Sequence, residues 1–144
     1  MSALDFSQLP GISIFSLQGK SAIITGGTKG LGLAMAAGLA SAGANVMLVS
    51  RNAQDGEEAA IEITNKYGVK AITFSADVAN LEAMNTMAKK AHEAFGSIDV
   101  LINSAGINIR GAIDELTPED FSKVMNINVT GTWNACRAVT PYMK

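Results

Sequence analysis

The feature that most constrains the fold is the segment TGGTKGLG at residues 25–32, which follows a short apolar run and opens a long Ala/Gly-rich helical pattern. Glycines let backbone N–H groups approach a phosphate closely, and a helix that begins near Gly30 directs the positive end of its dipole toward an anion. The spacing TGxxxGxG differs from the GxGxxG dinucleotide-binding fingerprint and from the GxxxxGK[ST] of a P-loop. The segment predicts a phosphate-binding turn, and an ordinary strand-to-helix turn is the alternative.

Strands and helices alternate along the rest of the chain. The pattern predicts strands over residues 21–25, 45–49, 71–75 and 100–103, and helices over residues 31–42, 53–67 and 81–95. A last helix begins at the sequence TPED, residues 117–120, and runs to the chain end with a bend near Asn128. Such alternation gives right-handed βαβ crossovers, so the predicted fold class is α/β with a Rossmann-like, doubly wound parallel sheet.

Composition and charge exclude several classes of protein. The 144 residues suit one domain, which we place at residues 17–144 behind an N-terminal arm at residues 1–16. The net charge of -2 argues against a nucleic-acid surface, and no run reaches membrane-spanning length. Cys136 and His92 are the single cysteine and histidine, so neither a disulfide nor a Cys/His metal site is credible. We therefore expect a cytoplasmic protein with no metal, no nucleic acid and no membrane partner.

Two cations lie where a dinucleotide would place its adenosine ribose. The second strand leads into Ser50 and Arg51, about twenty residues after the glycine segment, where NAD-binding units carry an Asp or Glu for the ribose hydroxyls. That acid is missing here. Arg51 and Lys29 instead favour the 2′-phosphate of NADP(H), and two solvated surface cations are the alternative. Asp55 could oppose these cations, but we interpret it as part of the first turn of the following helix.

With its TGxxxGxG segment, the chain resembles the short-chain dehydrogenase/reductase family over residues 17–144, which is the N-terminal half or so of a family member. The resemblance implies that Asp77 and Val78 contact the adenine ring; on the residues alone, Asp77 could equally cap the next helix. It also implies that the NSAG segment at residues 103–106 leaves room for the ribose and the nicotinamide while Asn103 ties the strand end to its neighbours. In the family, the position of Asn128 is catalytic, because a break in the helix there lets the backbone hold a water of the proton relay.

The predicted site therefore lies at the carboxyl ends of the four strands. The predicted catalytic residue is Asn128, and the predicted cofactor-binding residues are Gly26, Thr28, Lys29, Gly30, Leu31, Gly32, Ser50, Arg51, Asp77, Val78, Asn103, Ala105 and Gly106.

The family also needs a Ser that polarises the carbonyl and a YxxxK pair that transfers the proton. Neither Tyr67 nor Tyr142 has a Lys four residues later in this sequence. We therefore interpret the chain as a partial, inactive dehydrogenase/reductase whose sheet is incomplete at the C-terminal side. In the segments FSLQGK at residues 15–20, AGA at residues 42–44 and GINIR at residues 106–110, it resembles the gluconate 5-dehydrogenase and 2-deoxygluconate 3-dehydrogenase branch. A 3-oxoacyl-carrier-protein reductase is the alternative, and a non-catalytic NADP-binding fragment is the alternative of another class.

Two expectations concern association. Trp133 and Cys136 lie in the last helical stretch and are expected in the core or at a subunit interface, and the parent protein is expected to form a dimer or tetramer through its long helices around Trp133. The fourth predicted strand is apolar on both faces, so without a further neighbour it would expose an edge that favours intermolecular pairing.

Overall fold

The computed structural model describes residues 11–143. Its centre is a four-stranded parallel sheet in the order β3-β2-β1-β4, which confirms the predicted Rossmann-like α/β fold. The strands are β1 (Ser21–Thr25), β2 (Asn45–Ser50), β3 (Ala71–Ser75) and β4 (Val100–Asn103). The strand order reverses between β1 and β4, and such a switch point is where ligands bind in open α/β sheets.

Within residues 11–143, five α-helices accompany the strands. They are α1 (Gly30–Ser41), α2 (Ala53–Tyr67), α3 (Leu81–Phe95), α4 (Pro118–Met125) and α5 (Gly131–Val139). A π-helical segment at Asn126–Thr130 joins α4 to α5, so the break expected near Asn128 is present. Single 3₁₀ turns lie at Gly11–Phe15 and Thr140–Tyr142. The predicted bounds are wrong by one residue at three points: β2 extends through Ser50, and α1 begins at Gly30 and ends at Ser41.

Short polar side chains cap the first turns of α2, α3 and α4. Asn52 accepts hydrogen bonds from the backbone at the start of α2, and Thr117 forms a capping box with Asp120 at the start of α4. Asn80 caps α3. The interpretation of Asp77 as that cap is therefore wrong, because its carboxylate accepts instead from the backbone N–H of Ala79 at 2.9 Å.

The sheet is covered on both faces, which explains why its strands are almost continuously apolar. Ala22, Ile24, Val46 and Leu48 pack under α1 and α2, while Ile23, Met47 and Val49 pack under α3 and α5. β1 is buried along its whole length, whereas β4 is only half-buried. Within residues 11–143, β4 has β1 as its single neighbour, so it forms one edge of the sheet.

The burial of Trp133 and Cys136 differs from the prediction, and part of the predicted N-terminal arm lies outside the described residues. Trp133 and Cys136 are exposed, so their placement in the core is wrong and the interface alternative stays a prediction. The arm predicted over residues 1–16 lies outside the described residues up to residue 10, and residues 11–15 form an exposed turn. Among the described residues no helix is long and apolar enough to cross a membrane, and no His, Cys, Asp and Glu cluster could hold a metal ion.

Candidate cofactor-binding site

A cavity of about 390 Å³ lies at the carboxyl ends of the strands, across the switch point. Segments that follow all four strands line it, together with Ile127 of the π-helical segment. Of the predicted site residues it brings together Gly26, Thr28, Lys29, Ser50, Arg51, Asp77, Val78, Ala105 and Gly106. It does not bring Gly30, Leu31, Gly32, Asn103 or Asn128 to the cavity wall.

The glycine turn is shaped by close backbone contacts. Gly26 has a φ of 67°, and a Cβ there would lie 2.8 Å from the carbonyl oxygen of Ser104 in the segment after β4. A Cβ on Gly32 would lie 2.1 Å from the carbonyl oxygen of Gly26. Only glycine therefore lets the start of α1 pack against the turn and lets the turn approach the β4 segment. Gly30, which begins α1, has a φ of 55°, and Leu31 is exposed.

Charged side chains surround the end of the cavity near β2. The ammonium of Lys29 lies 2.8 Å from a carboxylate oxygen of Asp55, and Lys29 is far more exposed than Asp55. Arg51 is exposed and has no ion-pair partner among residues 11–143. Its backbone is held, because its carbonyl accepts from the hydroxyl of Ser75 at 3.2 Å. Asp55 lies in the first turn of α2, as interpreted, and it also opposes one of the two cations, the alternative that the sequence analysis set aside, through its ion pair with Lys29.

Thr25 fixes the segment that follows β4. Its hydroxyl oxygen is buried at the end of β1 and accepts from the backbone N–H groups of Ser104 at 3.2 Å and Ala105 at 3.3 Å. Asn103 is exposed, and its amide contacts the Cys136 sulfur of α5 at 3.4 Å. Sequence reasoning did not assign Thr25 a role of its own. A hydroxyl at the carboxyl end of the strand SAIIT, directly before the glycine segment, was the available signal.

Asn128 connects the π-helical segment to the same loop. Its side-chain oxygen accepts from the backbone N–H of Ile107 at 2.9 Å, and its amide donates to the carbonyl of Ile107 at 3.0 Å. A Cβ on Gly106 would lie 3.2 Å from that side-chain oxygen. π-Helical turns are rare and occur often at functional sites. The amide of Asn128 is thus engaged by the backbone, and it does not face the cavity.

A buried amide on α5 fixes the turn after β3. Asn134 is 3% exposed and donates a hydrogen bond of 3.0 Å to the carbonyl of Val78. A Cβ on Gly131 would lie 2.4 Å from a methyl group of Val78, so the helix and this turn are in close contact. The sequence interpretation missed both residues. An Asn within an otherwise apolar and small-residue helix face was the signal that could have found them.

A separate polar cluster lies at the opposite side of the sheet, where the strands begin. The carboxylate of Asp99, just before β4, accepts from the ammonium of Lys20 at 2.9 Å, the hydroxyl of Ser97 at 2.7 Å and the backbone N–H of Ser21 at 2.9 Å. The hydrogen bonds from Lys20 and Ser97 lower the pKa of Asp99 from 3.8 to about 2. This cluster joins the beginnings of β1 and β4 and lies away from the cavity.

A doubly wound parallel sheet with a glycine-rich turn at its switch point defines the Rossmann-like class of nucleotide-binding proteins. Within that class, the chain belongs to the short chain dehydrogenase family, whose model matches residues 20–144.

Known relatives agree with this assignment. The chain is 35% identical over 132 residues to a 2-dehydro-3-deoxy-D-gluconate 5-dehydrogenase of Formosa agariphila, covering 92% of this chain and 50% of that protein. The crystal structure of L-sorbose reductase from Gluconobacter frateurii, complexed with NADPH and L-sorbose, matches with a TM-score of 0.84 and 32% identity over 90% of this chain and 49% of that one. A short chain dehydrogenase from Mycobacterium paratuberculosis, bound to NAD, matches with a TM-score of 0.84 and 29% identity over 89% and 52%. The chain thus spans about half the length of these proteins.

Proposed function

We propose that the chain is the cofactor-binding part of an oxidoreductase that transfers a hydride between NADP(H) and an alcohol or ketone. Membership of the dehydrogenase family supports the reaction class. The observation that carries the cofactor choice is Arg51, an exposed guanidinium on the cavity wall with no ion-pair partner among residues 11–143. A guanidinium binds phosphate strongly, and no carboxylate follows β2 directly to accept the ribose hydroxyls of NAD(H).

The volume of the cavity and the shape of the glycine turn support this proposal. The volume of about 390 Å³ lies within the usual range of ligand pockets, and glycine at positions 26 and 32 allows the close backbone contacts that shape the turn at the start of α1. In this proposal Gly26 and Thr28 hold the pyrophosphate at the start of α1, with Gly30, Leu31 and Gly32 shaping that helix end. Ser50 and Arg51 hold the adenosine ribose.

The remaining site residues hold the two ends of the cofactor. Asp77 accepts from the adenine amine and Val78 packs on the ring, while Ala105 and Gly106 leave space for the nicotinamide, with Asn103 behind them. NADP(H), when bound, supplies or accepts the hydride. We assign Asn128 to the proton relay through its main chain, because its amide already binds Ile107.

The cofactor choice is tested by titrating NADPH and NADH against the protein expressed from its complete gene. We expect tighter binding of NADPH. In Arg51→Gln, loss of a charge-assisted contact should weaken NADPH binding by about 10- to 100-fold and change NADH binding less than about twofold. Lys66→Gln is the control, because it removes the same charge from the last turn of α2, away from the cavity. Equal dissociation constants for the two cofactors would disprove the preference.

For the substrate, we propose a sugar acid of the gluconate type. The support is the similarity to the 2-dehydro-3-deoxy-D-gluconate 5-dehydrogenase and to the L-sorbose reductase. A panel of sugar acids, sugars and 3-oxoacyl thioesters, assayed with the complete protein by the change in NADPH absorbance, separates this proposal from the carrier-protein reductase. A higher kcat/KM for the 3-oxoacyl thioester would favour the latter.

A second candidate function is a non-catalytic NADP-binding module. Two observations on Tyr67 favour it. The residue four positions later is Ala71 and not Lys, and Tyr67 itself lies at the end of α2, away from the cavity. For the 144 residues expressed alone we expect cofactor binding without turnover. Carbonyl reduction above a protein-free control, with host reductases removed, would contradict this.

We further propose that the protein associates through the helical stretch α4 to α5 and works in the cytoplasm. Four large apolar side chains are exposed there at four-residue spacing: Phe121, Met125, Val129 and Trp133. The guanidinium of Arg137 lies 5.1 Å from the Trp133 ring centre. Sedimentation of the complete protein should show a dimer or tetramer that Trp133→Glu dissociates; a monomeric wild-type protein would refute the proposal.

A further inference from the structure

We propose that Asp55 limits the preference for NADP(H) by binding Lys29, so that Arg51 supplies most of the affinity for a 2′-phosphate and Asp55 opposes it. The proposal rests on the proposed function, because it assumes that a nicotinamide dinucleotide occupies the cavity. It differs from the sequence-based expectation, in which Lys29 and Arg51 contribute together as two free cations.

The position of Asp55 is fixed by its helix. The backbone N–H of Asp55 lies 3.4 Å from the side-chain oxygen of Asn52, which caps α2. The next residue, Gly56, is in such close contact with β3 that a Cβ there would lie 2.1 Å from the hydroxyl oxygen of Thr73. The first turn of α2 is thus capped by Asn52 and packed closely against β3, which sets the position of Asp55.

Lys29 is the more exposed member of the ion pair. Its side chain is 74% exposed and that of Asp55 is 26% exposed, while their nitrogen and oxygen atoms are 2.8 Å apart. A lysine side chain is long and flexible, so the position of the Lys29 ammonium follows that of the Asp55 carboxylate. Lys29, Arg51 and Asp55 all line the same cavity. Asp55 thus both occupies one donor of Lys29 and stands beside the place proposed for the phosphate.

The charges of the cavity wall cancel. Its charged side chains are two cations, Lys29 and Arg51, and two carboxylates, Asp55 and Asp77. A phosphate monoester carries between about -1.5 and -2 charges at neutral pH, so each nearby carboxylate repels it. The 2′-hydroxyl of NAD(H) is neutral, and a carboxylate can accept a hydrogen bond from it. Asp55 consequently weakens the binding of NADP(H) and leaves that of NAD(H) unchanged or improved.

The decisive measurement is the ratio of the NADPH and NADH dissociation constants in the complete protein. In Asp55→Asn we expect NADPH to bind about 3- to 10-fold more tightly, as the loss of one charge at several ångströms from a dianion predicts, with NADH changed less than about twofold. Glu57→Gln is the matched control, since it removes the same charge from an exposed position on the same helix outside the cavity wall. Weaker NADPH binding in Asp55→Asn would overturn the proposal, because Asp55 would then be positioning Lys29 for the phosphate.

A double-mutant cycle gives a second readout. Lys29→Met should weaken NADPH binding by less than about threefold in the wild-type background, where Asp55 neutralises the cation. The same change in the Asp55→Asn background should cost about 10-fold, because the ammonium is then free for the phosphate. Equal costs in both backgrounds would refute the coupling. If Asp55→Asn does not fold, a loss in Lys29→Met as large as that in Arg51→Gln refutes the proposal, and a small one supports it.

The two proposals fail in different ways. If the wild-type protein binds NADH as tightly as NADPH and Arg51→Gln changes neither constant, the proposed cofactor choice fails. If that choice holds but Asp55→Asn leaves the ratio unchanged, only the role of Asp55 fails.

Discussion

The charged side chains at the two ends of the strands differ in how they are paired. We call the side of the sheet where the strands begin the amino edge, and the side where they end the carboxyl edge. At the amino edge, three donors from Lys20, Ser21 and Ser97 surround the carboxylate of Asp99. At the carboxyl edge, the guanidinium of Arg51 has no ion-pair partner among residues 11–143, and the exposed Lys29 pairs with Asp55 alone. Polar groups that are satisfied within the protein stabilise the fold, whereas groups that the protein leaves unsatisfied can bind a ligand. The comparison predicts that changes at the amino edge alter stability, and that charge changes at the carboxyl edge alter binding.

The largest expected effect tests whether the backbone conformation of the glycine turn, at the carboxyl edge, affects both stability and cofactor binding. Gly32→Ala places a Cβ 2.1 Å from the carbonyl oxygen of Gly26, so the turn must shift. We expect a loss of about 3 kcal/mol in the free energy of unfolding and a loss of cofactor binding of about 100-fold or more.

Gly38→Ala is the control in the same helix, because nothing lies within 4 Å of its Cβ position. It should stabilise the protein by about 0.5–1 kcal/mol and leave cofactor binding unchanged. Urea denaturation and NADPH titration check both variants. Normal binding in Gly32→Ala would show that the turn tolerates a side chain.

The next effect sharpens the comparison, since Asn128 is a side chain near the carboxyl edge whose polar atoms are satisfied. Asn128→Ala removes two hydrogen bonds to the backbone of Ile107 and should lower the free energy of unfolding by about 1–2 kcal/mol. In the complete protein it should also lower kcat more than it changes the NADPH dissociation constant.

Asn126→Ala is the matched control, because Asn126 is exposed in the same π-helical segment and its side chain makes no hydrogen bond among the described residues. We expect a change within about 0.5 kcal/mol. Identical unfolding curves for the two alanine variants would mean that the link to Ile107 contributes nothing.

The smallest expected effect concerns the amino edge and depends on pH. The folded pKa of Asp99 is about 2, below its usual value of 3.8, so its ionised form stabilises the fold above about pH 4, and this contribution is lost as the pH falls toward 2. The Asp99 side chain is 22% exposed and Lys20 is 55% exposed, so solvent screening reduces the contribution to about 1 kcal/mol.

Asp99→Asn should therefore be about 1 kcal/mol less stable than the wild type at pH 7, with the difference approaching zero near pH 2. Urea denaturation across this range measures it, and NADPH binding at pH 7 serves as the control. Altered cofactor binding in this variant would contradict the prediction that changes at the amino edge affect stability and not binding.

The sequence predicted the sheet, the helices and the place of the site because these depend on local patterns. Alternating apolar strands and capped helices predict a parallel sheet, and parallel strands bring Gly26, Arg51, Asp77 and Ala105 to one edge. The ion pair of Lys29 with Asp55 and the bond of Asn134 to Val78 were not predictable in the same way. Each depends on how far a side chain of one element reaches toward another, and that distance follows from packing.

The contacts of Asn128 and Asn134 have a consequence for ligand length. Asn128 contacts the segment after β4, and Asn134 contacts the turn after β3, so one continuous helical stretch touches both ends of the cavity. The two residues are six positions apart in the sequence, which corresponds to roughly 9 Å along a helix. This stretch therefore acts as a spacer of fixed length between the two walls. A ligand that contacts both walls must extend across the separation that this stretch sets.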